Sequence, residues 1–191
     1  MYGVHRDLYR PRCGGIYGKE AEEVKKYELT SETKVFLGKT LYRIKALVQF
    51  GNVNAGDLGG WIEKEENLSQ SGNAWVYGNA WVYGNAEVSG DARVSDDAEV
   101  YGNARVSGDA RVCKIGAVFW IGAIGSRNRT TTFFRCKDGK IYVSCGCFLG
   151  DLEEFSDKVK QTHGDNEHGR AYMLAIEMAK ARIVEEKNEV H

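Results

Sequence analysis

GNAWVYGNAWVYGNAEVSGDARVSDDAEVYGNARVSGDARV, residues 72–112, repeats one six-residue pattern seven times. Written [N/D]-A-x-V-x-G, the pattern places alanine at 74, 80, 86, 92, 98, 104 and 110, and valine at 76, 82, 88, 94, 100, 106 and 112. Residues two apart on an extended chain share a face, so every unit offers a short strand whose Ala and Val point the same way. A Gly-Asn, Gly-Asp or Asp-Asp pair follows each strand and turns the chain. A period of six with a corner in every unit predicts a parallel β-helix, a solenoid that buries its core by stacking one coil on the next.

The segment resembles the hexapeptide-repeat left-handed β-helix, in which three hexapeptides complete one triangular coil. The resemblance implies that residue i stacks on i+18: Trp75 on Arg93 and Arg93 on Arg111, Trp81 on Glu99, Glu87 on Arg105, Asn85 on Asn103, and Tyr83 on Tyr101. The phase extends outward, with Leu58 on the Val series, Ile62 and Leu68 on the Ala series, and Val118 and Ile124 on the Val series again, giving about three to four coils over residues 56–124. The outward Trp75, Tyr77, Trp81 and Tyr83 need a cover. The chain's own N-terminal segment or a subunit interface would supply it, a ligand-stacking platform being the alternative.

Before the coils, KVFLGKTLYRIKALVQF reads as a hairpin turning near Gly38-Lys39, within a cap over residues 27–55 that follows an N-terminal extension, 1–26. An open solenoid end exposes strand edges and core, and a cap removes both. LYRIKAL and GDLGGWIEKEENLS, followed by the repeats, resemble a family of proteins common in prophages and other bacterial mobile elements. That resemblance covers roughly residues 27–112 and implies a setting, not a mechanism.

Residues 125–191 change character. TTTFFRC and KIYVSCGCF read as strands joined through Asp138-Gly139, a hairpin turn signal. DLEEFSDKVKQTH places Leu152, Phe155 and Val159 on one helix face, with Asp151 and Glu154 at capping-box spacing. Gly164 suits the helix end, Asp165 or Asn166 the start of a second helix with an apolar face at Ala171, Leu174, Ala175 and Met178; VEEKNEVH reads as a fraying end. GSRN-x-TT, GCF-x-G and THGDN-x-H resemble a small α+β module of phage and prophage proteins. The expected fold is therefore mainly β: a left-handed parallel β-helix with an N-terminal β-hairpin cap and a C-terminal α+β module.

The functional residues are expected in that module. GSRNRTTT, residues 125–132, combines a flexible Gly, two Arg and four hydroxyls, which suits an anion or phosphate, though it lacks the spacing of a P-loop. The candidate ligand site is Ser126, Arg127, Asn128 and Arg129, joined by Arg135 and by His163 and His168 at the inter-helix turn, where free N–H groups add donors. The competing reading is a solvated polar loop with two helix-end histidines. Cys145-x-Cys147 with Cys136 and the histidines could supply soft ligands to zinc, but a second ligand pair at zinc spacing is missing, so buried free thiols, no metal and no cofactor are expected.

Composition narrows the function classes. Lys and Arg total 26 against 27 Asp and Glu, so the chain lacks the basic excess of an extended nucleic-acid or membrane-surface binder. The start is charged without an apolar h-region, no stretch approaches a membrane span, and five cysteines form an odd set, all of which favours the bacterial host cytoplasm. Many hexapeptide β-helix proteins are acyltransferases using a His base near the coil, but the four histidines here, His5, His163, His168 and His191, lie outside the repeats. The expected function is a non-enzymatic, self-associating phage accessory protein, a homo-oligomer and most simply a trimer. It would sequester a small anionic, nucleotide-type host immune signal. A structural or host-protein-binding scaffold without small ligand is the alternative.

Overall fold

The computed structural model describes residues 24–183. The N-terminal extension, except for Val24, Lys25 and Lys26, lies outside the described residues, as do His5, Cys13, His191 and the expected fraying end.

Seven two-residue strands mark the repeats: β4 (Trp75–Val76), β5 (Trp81–Val82), β6 (Glu87–Val88), β7 (Arg93–Val94), β8 (Glu99–Val100), β9 (Arg105–Val106) and β10 (Arg111–Val112). They are preceded by β1 (Tyr27–Phe36), β2 (Lys39–Ala46) and β3 (Leu58–Ile62). The short strands stack in parallel in three series: β4, β7 and β10; β3, β5 and β8; and Leu68, β6 and β9. Each series samples every third unit, so three coils stand on one another. Every Ala and Val of the repeat is at most 1% exposed. The expected ladders form: Asn85 donates to Asn103 at 3.3 Å and Arg105 pairs with Glu87 at 3.3 Å, and a further rung joins Asn73 Nδ2 to Asp91 at 2.8 Å. Arg111 meets Arg93 in register, as expected, and turns its guanidinium onto the carbonyls of Asp91 and Ala110 at 3.1 and 3.0 Å.

Three expectations of phase are corrected. Ile62 pairs with Val82 and Leu68 with Val88, so both occupy Val positions, not Ala positions. The step across each pair is two residues longer than the eighteen-residue separation of the later rungs, and Ser69–Asn73 absorbs the excess. Leu58 is paired with Lys45 and exposed, outside the core. At the other end Val118 and Ile124 do not continue the coils. They belong to a strand that runs antiparallel to its neighbour.

The two ends of the solenoid are chemically different, and each is closed by the group it needs. Amides of one coil donate to carbonyls of the next, as Trp75 N does to Ala92 O at 3.0 Å. The first coil therefore presents free carbonyls and the last presents free amides. At the first coil the hairpin of β1 and β2 supplies donors: Tyr27 Oη to Leu68 O at 2.7 Å and Glu65 O at 2.9 Å, and Lys26 Nζ to Ala74 O at 3.0 Å. Asn67 reaches forward with its amide to Ala86 O at 2.8 Å. At the last coil an acceptor is supplied instead, Thr132 Oγ1 receiving the amide of Arg105 at 3.0 Å.

The hairpin also covers the aromatic side of the coils, as its own-chain reading required. Trp75 is buried beneath Tyr27 and Phe50, with ring centroids 6.1 and 5.3 Å away, where bare Gly59 leaves room for the indole. Phe36 lies on Trp81 and Tyr83, and Tyr83 stacks on Tyr101 at 5.4 Å.

Lys26 is buried with its ammonium over the Phe50 ring, and burial lowers its pKa to about 8. An amine lowered in the folded state charges more readily once unfolded. Its contribution therefore improves as pH rises from about 8 toward its ordinary value of 10.5, and is poorest below about 8. Chemical denaturation of the parent and of Lys26→Met across that range should show a stability difference that moves in the parent's favour as pH rises. A pH-independent difference would mean that the amine is not desolvated.

The C-terminal module contains β11 (Val118–Ile124), β12 (Arg129–Arg135), β13 (Ile141–Cys145), β14 (Phe148–Asp151), α1 (Leu152–His163) and α2 (Glu167–Arg182). The strands form one antiparallel sheet in chain order. The run expected as a single strand from Lys140 to Phe148 is instead a tight hairpin, with Cys145 paired to Phe148 around Gly146 at φ +63°. Strand alternation gives the sheet two buried faces: Thr132, Phe134 and Cys136 close the solenoid, while Thr131 and Phe133 face the helices. Asp151 caps α1 with the expected capping box to Glu154, and Asn166 caps α2. The buried face of α2 is Tyr172, Ala175, Ile176 and Ala179, and the expected Leu174 and Met178 are exposed.

Candidate functional site

In an antiparallel sheet alternate turns lie at one end, which gathers the β11–β12 turn (Gly125–Asn128) with the β13–β14 turn (Gly146–Cys147). The α1–α2 turn joins them, and Tyr172 shows how closely. Its hydroxyl lies against Gly125 so tightly that any side chain there would collide, and Gly125 is further held at φ +72°. The same hydroxyl is 3.6 Å from Cys145 Sγ, to which Thr131 Oγ1 donates at 3.2 Å. The Tyr172 ring stands 5.7 Å from that of His163, and His163 stands 5.8 Å from His168. Burial, with Cys145 beside it, pushes the Tyr172 phenol up to about 12, so it remains a neutral hydrogen-bonding group.

Six of the seven expected residues are thus arranged around Gly125 and Tyr172. Ser126, Arg127, Asn128 and Arg129 are exposed on the first turn, and His163 and His168 are half-buried on the third. Among the described residues no ion pair or side-chain hydrogen bond engages Arg127 or Arg129, and both residues are exposed. The amide of Gly169 is held by the Asn166 cap at 3.0 Å, and Arg170 bonds the carbonyl of Asp165, which stiffens the start of α2. His168 lies beside Glu167, 3.8 Å from nitrogen to oxygen.

Arg135 is the exception, and its place in the site is withdrawn. It ends β12 opposite Ile141, six residues from Arg129, a rise of roughly 20 Å along the strand. The cysteines are likewise dispersed. Cys136 is buried in the solenoid core, Cys145 is half-buried beside Tyr172, and Cys147 is exposed, which corrects the reading of all three as buried thiols. Among the described residues no three His, Cys, Asp or Glu side chains are gathered as a metal site would require.

Sequence reasoning missed Tyr172, and it read Thr131 only as one hydroxyl of the 125–132 loop and Cys145 only as a metal ligand or buried thiol. A signal existed for one of them, since Tyr172 follows His168 by four residues on a helix and so shares its face. A groove of about 900 Å³ opens by the other end of the module, floored by Ile176 and Ile183. Its lysines each face a carboxylate: Lys140 and Asp151 at 3.0 Å, Lys160 and Asp157 at 3.7 Å, Lys180 and Glu177 at 2.9 Å. Among the described residues that line it, the groove offers no unmatched lysine.

With the coils and their caps established, likeness to known proteins bears on the middle of the chain. The family described as YdcK beta solenoid repeat matches residues 98–114, which hold β8, β9 and β10. The chain carries a β-solenoid repeat. A curated relative, the uncharacterized acetyltransferase YdcK of Escherichia coli (strain K12), is 37% identical over 62 residues. The likeness takes in 28% of this chain and 19% of the relative, so the chain matches about a fifth of that protein's length. Among the described residues no helix is long and apolar enough to cross a membrane.

Proposed function

We propose that this is a non-enzymatic binding protein whose solenoid is a rigid, closed-ended post and whose C-terminal module takes a small anionic ligand between its turns. The observation that carries the reading is the wedge of Gly125 against Tyr172, which brings the Arg127 and Arg129 turn to the His163 and His168 turn. Guanidinium groups supply charge-assisted hydrogen bonds, and the two imidazoles, set edge to face, and the neutral phenol add donors beside an anion. The left-handed sense of the coils belongs to this proposal, as does a trimeric assembly that would present several copies of the site at once. The resemblance of the caps and of the module to prophage proteins supports a nucleotide-type host signal as ligand, sequestered to blunt antiviral defence in the host cytoplasm.

Calorimetry against cyclic dinucleotides, cyclic oligonucleotides and ADP-ribose-type signals tests the ligand, and light scattering tests the assembly. Arg127→Ala and Arg129→Ala should each weaken binding by about 2–5 kcal/mol if the guanidinium is desolvated on the ligand. If nothing in the panel binds the parent, the sequestering function fails and the scaffold reading replaces it. A monomer in solution would remove the multivalent assembly.

The name of the curated relative favours a second reading, an acetyltransferase. Among the described residues the histidines are His163 and His168, both away from the coils. On the binding-protein reading acetyl-CoA is not consumed. Steady thioester cleavage lost in His163→Ala or His168→Ala would establish the enzyme instead.

A further inference from the structure

Strand β11 is the edge of its sheet, paired with β12 on one side and with no strand on the other among the described residues. Its sequence, VFWIGAI, contains neither charge nor proline, the usual devices that keep an added strand away. Val118 and Trp120 pack with the solenoid core, and Phe119 and Ile121 pack with the helix core. A groove of about 200 Å³ runs along this edge, lined by Glu99 and Tyr101 of the solenoid, by Val118, Phe119 and Trp120, and by Arg182 at the end of α2. A second groove of about 320 Å³ adjoins it through the same Glu99 and reaches Trp81.

The groove has opposite charges on its two rims. Glu99 accepts from Tyr83 Oη at 3.4 Å, and among the described residues neither Glu99 nor Arg182 has an ion-pair partner. The same solenoid face already seats a cation farther along, where Lys34 Nζ lies 4.2 Å from the centre of the Trp61 ring and 5.8 Å from that of Trp81. Tyr101 and Trp120 beside Glu99 repeat that chemistry, and among the described residues no cation is seated on them.

We propose that the free edge of β11 receives an extended segment of another protein as an added strand, recognised by one basic and one adjacent acidic side chain. Neighbouring residues of a strand point to opposite faces. The basic residue would therefore turn to Glu99 on the solenoid side, and the acidic one to Arg182 on the helix side. Backbone pairing supplies the affinity and the two rims the specificity. A second copy of β11 fits poorly, because an uncharged strand leaves both rims unmatched. Regular pairing is confined to Val118–Ile121, since the strand is irregular between Ile121 and Ile124 and Ala123 has φ +53°. This site is separate from the turns around Tyr172 and does not depend on the anion reading.

The probe is a capped hexapeptide of threonine, valine, lysine, glutamate, valine and threonine in that order, titrated into the full chain and followed by amide hydrogen exchange. Slowing of exchange within Val118–Ile121 by at least about tenfold is expected, with little change around Gly125. The double variant Glu99→Lys with Arg182→Glu should lose that protection, and should regain it with a peptide in which lysine and glutamate are each replaced by the opposite charge. No protection in the parent at millimolar peptide overturns the proposal, as does equal protection by both peptides in both proteins. Perturbation of Trp120 fluorescence by butylammonium, without protection of β11 by the peptide, would assign the groove to small cations and also overturn it.

Discussion

Val94→Asp should destabilise the chain by roughly 3–5 kcal/mol, a large share of the about 5–15 kcal/mol that holds an ordinary domain folded, because it buries a carboxylate where no partner can reach. Val94 is wholly buried between Val76 and Val112, the same series one coil to either side. Its hexapeptide sits in the middle coil, so local fraying cannot release the charge to water. Ser95→Asp, next in sequence but partly exposed, should cost far less. Urea titration followed by circular dichroism separates the two, and equal midpoints for Val94→Asp and the parent would show that the Val series does not line the core.

Phe134→Ala should cost about 3–5 kcal/mol, the usual range for truncating a buried aromatic. Phe134 is fully buried and belongs to the solenoid core although it comes from the C-terminal sheet. Its loss opens a cavity under the last coil, beside the Arg105 amide held by Thr132. Hydrogen exchange should therefore quicken in β9 and β10 more than in α1 and α2. If the two regions accelerate alike, the sheet and the coils form one cooperative unit and Phe134 is not specifically the closure of the solenoid.

The coils were legible because their core is periodic: one alanine and one valine per unit leave a single way to stack, and Trp75 over Arg93 follows from the period. The two-residue excess before Ala74 was not, since Ser69–Asn73 is polar and has no phase. β11 was misplaced for a related reason. Spacing two apart marks a strand face but does not say whether the neighbour is parallel or antiparallel, so Val118 and Ile124 satisfied the repeat while belonging to another sheet. In α2, Leu174 and Met178 compete with Tyr172, Ile176 and Ala179 at the same helical spacing, and only the sheet beneath decides between them. The site was half legible. Turn residues announced Gly125–Asn128 and the inter-helix turn, but Arg135 was grouped by sequence distance, which along a strand is also distance in space.

The most direct measurement is the amide chemical-shift map of the full chain titrated with the nucleotide that calorimetry finds tightest. Shifts concentrated in Gly125–Arg129, His163–His168 and the neighbourhood of Tyr172, and absent from Arg135, are the expected result. Binding that shifts the solenoid face or the Lys140 groove instead, leaving those turns unmoved, would contradict the assignment of the C-terminal turns as the anion site.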